Sequence, residues 1–139
     1  MSINNNPFFQ KNFNFDEAIP FDLIKTKHFL PAIEESIKIA NLYIQEIADS
    51  SDAPTFNNTV IALENSSEHL EKSASAYYHL FSSNADKEIE SLSEKIGPLM
   101  AKFSNDIYLN TSLFKRISKV KSSLGGSKST IYYLRCRRR

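Results

Sequence analysis

Phe29, Ile33, Ile37, Ala40, Ile44 and Ile47 recur at intervals of three and four residues. That spacing gathers side chains on one face of an α-helix, and a strand cannot satisfy it. Thr26 is suited to the N-cap, and Pro31 falls near the first turn, where a missing N–H does least harm. A helix is therefore predicted over residues 26–48, ended by the polar stretch 49–54. A stripe of this length has to be buried against another element, and the rest of the chain supplies helices of the same kind. Thr55 is the next N-cap, followed by Val60, Leu63, Leu70, Ala74, Tyr77 and Phe81, with a break near Asn65, Ser66 and Ser67. After a loop at 82–85, a third helix from Asp86 turns Ile89, Leu92, Ile96, Leu99, Phe103 and Ile107 inward. Gly97 and Pro98 should kink it or start a new turn. Asn110 or Thr111 caps a last short helix carrying Leu113, Phe114, Ile117 and Val120. Loops this short favour antiparallel neighbours. The expected fold class is all-α, an antiparallel helical bundle fragment of three to four helices.

Residues 1–24 break this rhythm. Phe8, Phe9, Phe13, Phe15, Ile19 and Phe21 lack helical spacing, and Pro7 and Pro20 hold their predecessors extended. So many aromatics argue against a disordered tail. The reading is an extended arm that docks on a surface, either its own helices or a larger body. At the other end the pattern dissolves after about Val120. Residues 1–24 are thus expected to be a docking arm, 25–120 a helical segment, and 121–139 a divergent basic tail, disordered.

Charge follows the same division. All 16 acidic residues lie between Asp16 and Asp106, whereas from Lys115 onward there are nine basic residues and no acid. The tail of Tyr132, Tyr133, Arg135, Arg137, Arg138 and Arg139 has charge and stacking surface for nucleic acid. Without a folded groove it should give weak, salt-sensitive, non-specific binding at most. The start of the chain has no basic n-region or apolar h-region, and no apolar run approaches the roughly 20 residues that span a bilayer. A cytoplasmic protein without a membrane partner is the expectation, and the single Cys136 rules out an intramolecular disulfide.

Few residues invite chemistry. A helical zinc site of the peptidase type needs two His four residues apart with a Glu between them. His28, His69 and His79 have no such partner; His69 and His79 are ten residues apart and do not share a helical face at close range. Cys136 sits among arginines that would lower its pKa, but has no base near it in sequence. Glu34 with Glu35, and Glu88 with Glu90, face apart on a helix and read as solvated charge. Gly125, Gly126, Ser127, Lys128 and Ser129 lack the glycine spacing of a phosphate loop. No residue is assigned a catalytic, cofactor-binding or metal-binding role.

Five ordered pieces of the sequence nevertheless have a family character. They are Asn6-Pro7-Phe8-Phe9; Ile19-Pro20-Phe21-Asp22; and His28-Phe29-Leu30-Pro31-Ala32. Then come Ala53-Pro54-Thr55-Phe56-Asn57-Asn58-Thr59 with Ala62-Leu63-Glu64, and Ser104-Asn105-Asp106-Ile107-Tyr108-Leu109-Asn110 followed by Leu113-Phe114. Over residues 6–118 the chain resembles the N-terminal region of the M3 zinc oligopeptidases, the peptidyl-dipeptidase and oligopeptidase A group. The resemblance implies a parent enzyme that is all-helical and two-lobed, with one zinc on a His-Glu-x-x-His helix in a channel that admits short peptides. The N-terminal helices would form channel wall and outer shell, with the remainder of the peptidase body as their partner. They carry no zinc ligand, so no cofactor is expected within this chain. The chain departs from the family after about Ser118. It is accordingly expected to be a segment truncated before the catalytic domain and inactive alone. The alternative is a stand-alone helical protein-interaction module.

Overall fold

The computed structural model describes residues 5–10, 21–84 and 86–123. A 3-10 turn, Pro7–Phe9, is followed by α1 (Thr26–Asp49) and a π-helical turn, Phe56–Ile61. Then come α2 (Ala62–Asn65), α3 (Glu68–Asn84), α4 (Lys87–Tyr108) and α5 (Thr111–Ser123). No strand occurs among the described residues, and the all-α expectation holds.

Three contacts fix how the helices run. The Phe29 ring near the start of α1 meets Tyr77 late in α3 at 5.8 Å. The Tyr77 hydroxyl donates to the Ile89 carbonyl at the start of α4 (3.1 Å). At the opposite end, Arg116 early in α5 reaches the Ser50 carbonyl just beyond α1 (2.7 Å). So α1 and α4 point one way, and α3 and α5 return antiparallel to them. The long helix α1 is the axis of the bundle and touches α3, α4, α5 and the 3-10 turn.

The core is built along the stripe that the sequence displays. Phe29, Ala32, Ile33, Ala40 and Ile44 of α1 are buried with Leu70, Ala76 and Tyr77 of α3. Ile89, Ile96 and Phe103 of α4 and Leu113 of α5 join them, as do Phe8 of the 3-10 turn and Leu63 of α2. Each large side chain removed from water here is worth about 1.5–3 kcal/mol before the entropy of ordering it is counted. Two expected inward residues turn out. Phe114 is 67% exposed, because it lies about a hundred degrees around α5 from Leu113, which takes the inner position. Phe81 is 37% exposed; it rests on Tyr77 (6.0 Å) near the end of α3, where the core runs out.

The helix boundaries hold with local differences. Thr26 is the first residue of α1 and not its cap. Lys25 has the extended cap conformation, and its N–H donates to Nδ1 of His28 at 3.0 Å. Thr55 is a cap as expected: its Oγ1 accepts from the Asn58 N–H (3.1 Å) while Asn58 Oδ1 accepts from the Thr55 N–H (2.8 Å). The turn that it starts is π-helical, and the chain breaks at Ser66 and Ser67 before α3 begins. No new turn starts at Pro98, since α4 runs without interruption from Lys87 to Tyr108. Gly97 and Pro98 are exposed there, as is Glu94, so the carbonyl that proline leaves without a donor can turn to water. Asn110 caps α5, accepting from the Leu113 N–H at 2.9 Å.

Asp86 caps α4 through the Ile89 N–H (2.8 Å). Asp86→Ala should cost about 1 kcal/mol, read as a lower urea midpoint with an unchanged slope.

Candidate functional site

The three histidines lie in three different settings. His28 is buried; Nδ1 accepts from the Lys25 N–H, and its own carbonyl accepts from Nδ2 of Asn6 at 2.9 Å. Burial, with Lys27 and Lys25 adding to it, holds its pKa below the ordinary histidine value. His69 is half-buried and stacks on Phe9 (5.8 Å, 16° between planes). Burial lowers its pKa too; Lys72 adds to this and Glu68 opposes it. His79 is exposed, next to the Phe21 ring at 5.7 Å. Among the described residues no group of three or more His, Cys, Asp or Glu could hold a metal ion. The zinc that the resemblance implies for the parent enzyme would find no ligand set among the described residues.

The carboxylate pairs stand on solvated faces. Glu34, Glu88 and Glu90 are exposed, and Glu35 pairs with Lys38 one turn on (3.0 Å). Cys136, the residues 125–129 and the basic tail 135–139 lie outside the described residues.

What the fold does build is a docked arm, a basic latch and an exposed apolar corner. The arm begins at Asn6, which is buried; its Oδ1 accepts from the Phe8 N–H (3.2 Å) while its Nδ2 reaches the His28 carbonyl. This holds the 3-10 turn so that Phe8 packs on Phe29 (5.6 Å) and Phe9 on His69. This part of the arm docks on its own helices. Phe13, Phe15 and Ile19 lie outside the described residues.

The latch is Arg116, which charge counting assigns to the basic end of the chain. It is only 7% exposed. One terminal nitrogen donates to the Ser50 carbonyl at 2.7 Å and the Asp52 carbonyl at 3.0 Å. The other reaches Asn58 Oδ1 at 3.4 Å. A single guanidinium thus ties the loop after α1, the π-helical turn and α5 together, using the planar fork that lysine lacks. The signal was in the sequence: Arg116 stands three residues after Leu113 and four before Val120, both buried, so it shares their face.

The corner is the junction of α4 and α5. Tyr108, Leu109 and Phe114 are 64%, 77% and 67% exposed. The backbone between them is well tied. The Leu109 N–H donates to the Asn105 carbonyl (2.9 Å), that of Asn110 to Ile107 (3.3 Å), and that of Phe114 to Asn110 (3.0 Å). Single exposed apolar residues are ordinary, but three large ones within seven residues about the α4–α5 junction offer apolar area for covering. Its chemistry is association through apolar area.

No protein-family model matches the chain. It is 34% identical over 123 residues to the dipeptidyl carboxypeptidase of Salmonella typhimurium and 35% identical over 123 residues to the protein of that name from Escherichia coli. Each match takes in 86% of this chain but 18% of the relative, so the chain spans less than a fifth of the length of these relatives. The resemblance to the peptidyl-dipeptidase group of M3 oligopeptidases holds.

Proposed function

We propose that this chain supplies the N-terminal helical wall of a peptidyl-dipeptidase-like zinc metallopeptidase and does not hydrolyse peptides by itself. The observation that carries this reading is the 34–35% identity over 123 residues to two dipeptidyl carboxypeptidases. The absence of a His-Glu-x-x-His sequence from these 139 residues supports the second half. In this reading the helices of 25–120 form shell and channel wall, and the docked residues 5–10 tie down the outer face. The apolar corner of Tyr108, Leu109 and Phe114 meets the remainder of the peptidase body. Short peptides are then the substrates of the complete enzyme, which acts in the cytoplasm.

Purified chain with added zinc should release no dipeptide from a blocked oligopeptide; turnover that a chelator abolishes would overturn the proposal. Mixed with the Escherichia coli relative lacking its matching N-terminal segment, the chain should restore activity. The double variant Leu109→Glu, Phe114→Glu should lose that restoration while keeping its helical circular dichroism.

A second reading, a stand-alone helical interaction module, is favoured by one observation. Phe29, Ala32, Ile33, Ala40, Ala76, Tyr77 and Ile96 have no exposed surface within this chain alone, so the segment closes a core of its own. Failure of the chain to restore activity, together with cooperative unfolding, would prefer it.

A further inference from the structure

The Asn6–Gln10 segment is held by a contact whose chemistry depends on one proton. Nδ1 of His28 lies 3.0 Å from the backbone nitrogen of Lys25. An amide N–H only donates, so Nδ1 has to be the acceptor and carry no proton. The same residue's carbonyl receives Nδ2 of Asn6 at 2.9 Å. Asn6 in turn shapes the 3-10 turn, through its Oδ1 to the Phe8 N–H at 3.2 Å and its carbonyl to the Phe9 N–H at 3.0 Å. His28 therefore links the closed start of α1 to the docked arm.

We propose that His28 makes this an acid-released clasp: a proton from solvent on Nδ1 turns the acceptor into a second donor facing the Lys25 N–H, opens the first turn of α1 and frees the arm. The local charges all push the same way. The proton would sit at the positive end of the α1 dipole. Lys25 and Lys27 are the charged groups acting on the ring, and no described acid offsets them. From the 3-10 turn the group that reaches His28 is the neutral amide of Asn6. His69, under Phe9, is subject to Lys72 and Glu68 and provides a second contact for the arm that does not use the Nδ1 geometry.

The direction of the pH effect follows from proton counting. Burial and the two lysines lower the pKa of His28 in the closed state below 6.5. The open state then binds more protons as pH falls, so closure is full above pH 6.5 and is lost below it. The open-to-closed ratio grows about tenfold for each pH unit until the closed state also protonates.

Hydrogen exchange of the full chain tests this, with rates corrected for intrinsic exchange chemistry. The Phe9 and Gln10 amides, which donate to the Asn6 and Pro7 carbonyls, should lose about tenfold or more of their protection between pH 7.5 and pH 5.0. Helical circular dichroism should persist over that range. His28→Asn keeps an acceptor and has no proton to gain there, so its protection should fall by a clearly smaller factor than that of the wild type, His69 under Phe9 leaving the remainder. Unchanged wild-type protection, or equal pH dependence in the His28→Asn variant, would overturn the proposal. Should that variant not fold, NMR titration of the wild-type imidazole decides the matter. The proposal requires its midpoint to coincide with arm release; a separation of more than about one pH unit, or loss of helix at the same pH, defeats it.

Discussion

Replacing Phe29 by alanine should lower the stability of the chain by about 3–5 kcal/mol, the usual cost of removing a buried aromatic side chain. Phe29 has no exposed surface. It stands between Phe8 at 5.6 Å and Tyr77 at 5.8 Å, each ring tilted to it as aromatic quadrupoles prefer. Loss of the ring leaves a cavity beneath the arm and beside α3, so two contacts weaken together. Domains have about 5–15 kcal/mol in total, and the change should bring Phe29→Ala close to unfolding at 37 °C. Urea unfolding followed by circular dichroism measures it. A loss under about 1 kcal/mol would mean that the arm and α3 close over the gap.

The second large effect is expected at Arg116. Arg116→Met keeps much of the apolar stem and removes the donors to Ser50, Asp52 and Asn58. Hydrogen bonds from a charged donor are worth about 1.5–3 kcal/mol each. Two influences reduce the total. Asp52 is exposed, so water can replace the donor to its carbonyl, and a buried guanidinium carries a desolvation cost that methionine lacks. Its Nε has no partner and adds to that cost. A net loss of about 2 kcal/mol is expected, with faster exchange of amides in residues 50–58. Arg116→Lys should recover less than half, because one ammonium cannot span both sides of the loop. A methionine variant more stable than the parent would show that desolvation outweighs the bonds.

The helices were legible because their information is local. The stripe from Phe29 to Ile47 and the caps at Thr55 and Asn110 each act within a few residues, and all recur in the structure. Of the two outcomes expected at Pro98, a new turn does not occur, because Pro98 is exposed, solvent is at hand for the freed carbonyl, and the helix runs on. The cap of α1 was missed because the partner is an imidazole at the third position, outside the usual Ser, Thr, Asp and Asn signature. Arg116 was hidden by composition. Counted with its basic neighbours it looked like surface charge, whereas its register beside Leu113 and Val120 placed it inside. The apolar corner has no periodic signature, since a turn between two helices presents neighbours that neither helix's stripe accounts for.

The reach of Arg116 along the chain has a consequence for synthesis. Its bonds join residues 66, 64 and 58 positions apart. A chain emerging from the ribosome at about 5–20 residues per second exposes residues 50–58 several seconds before their anchor is made. During that interval α1 and α3 can pair through nearer contacts, while the loop joining them stays unset. The order of translation thus leaves this loop with only its local bonds until α5 is made, and open to proteases and chaperones for that interval.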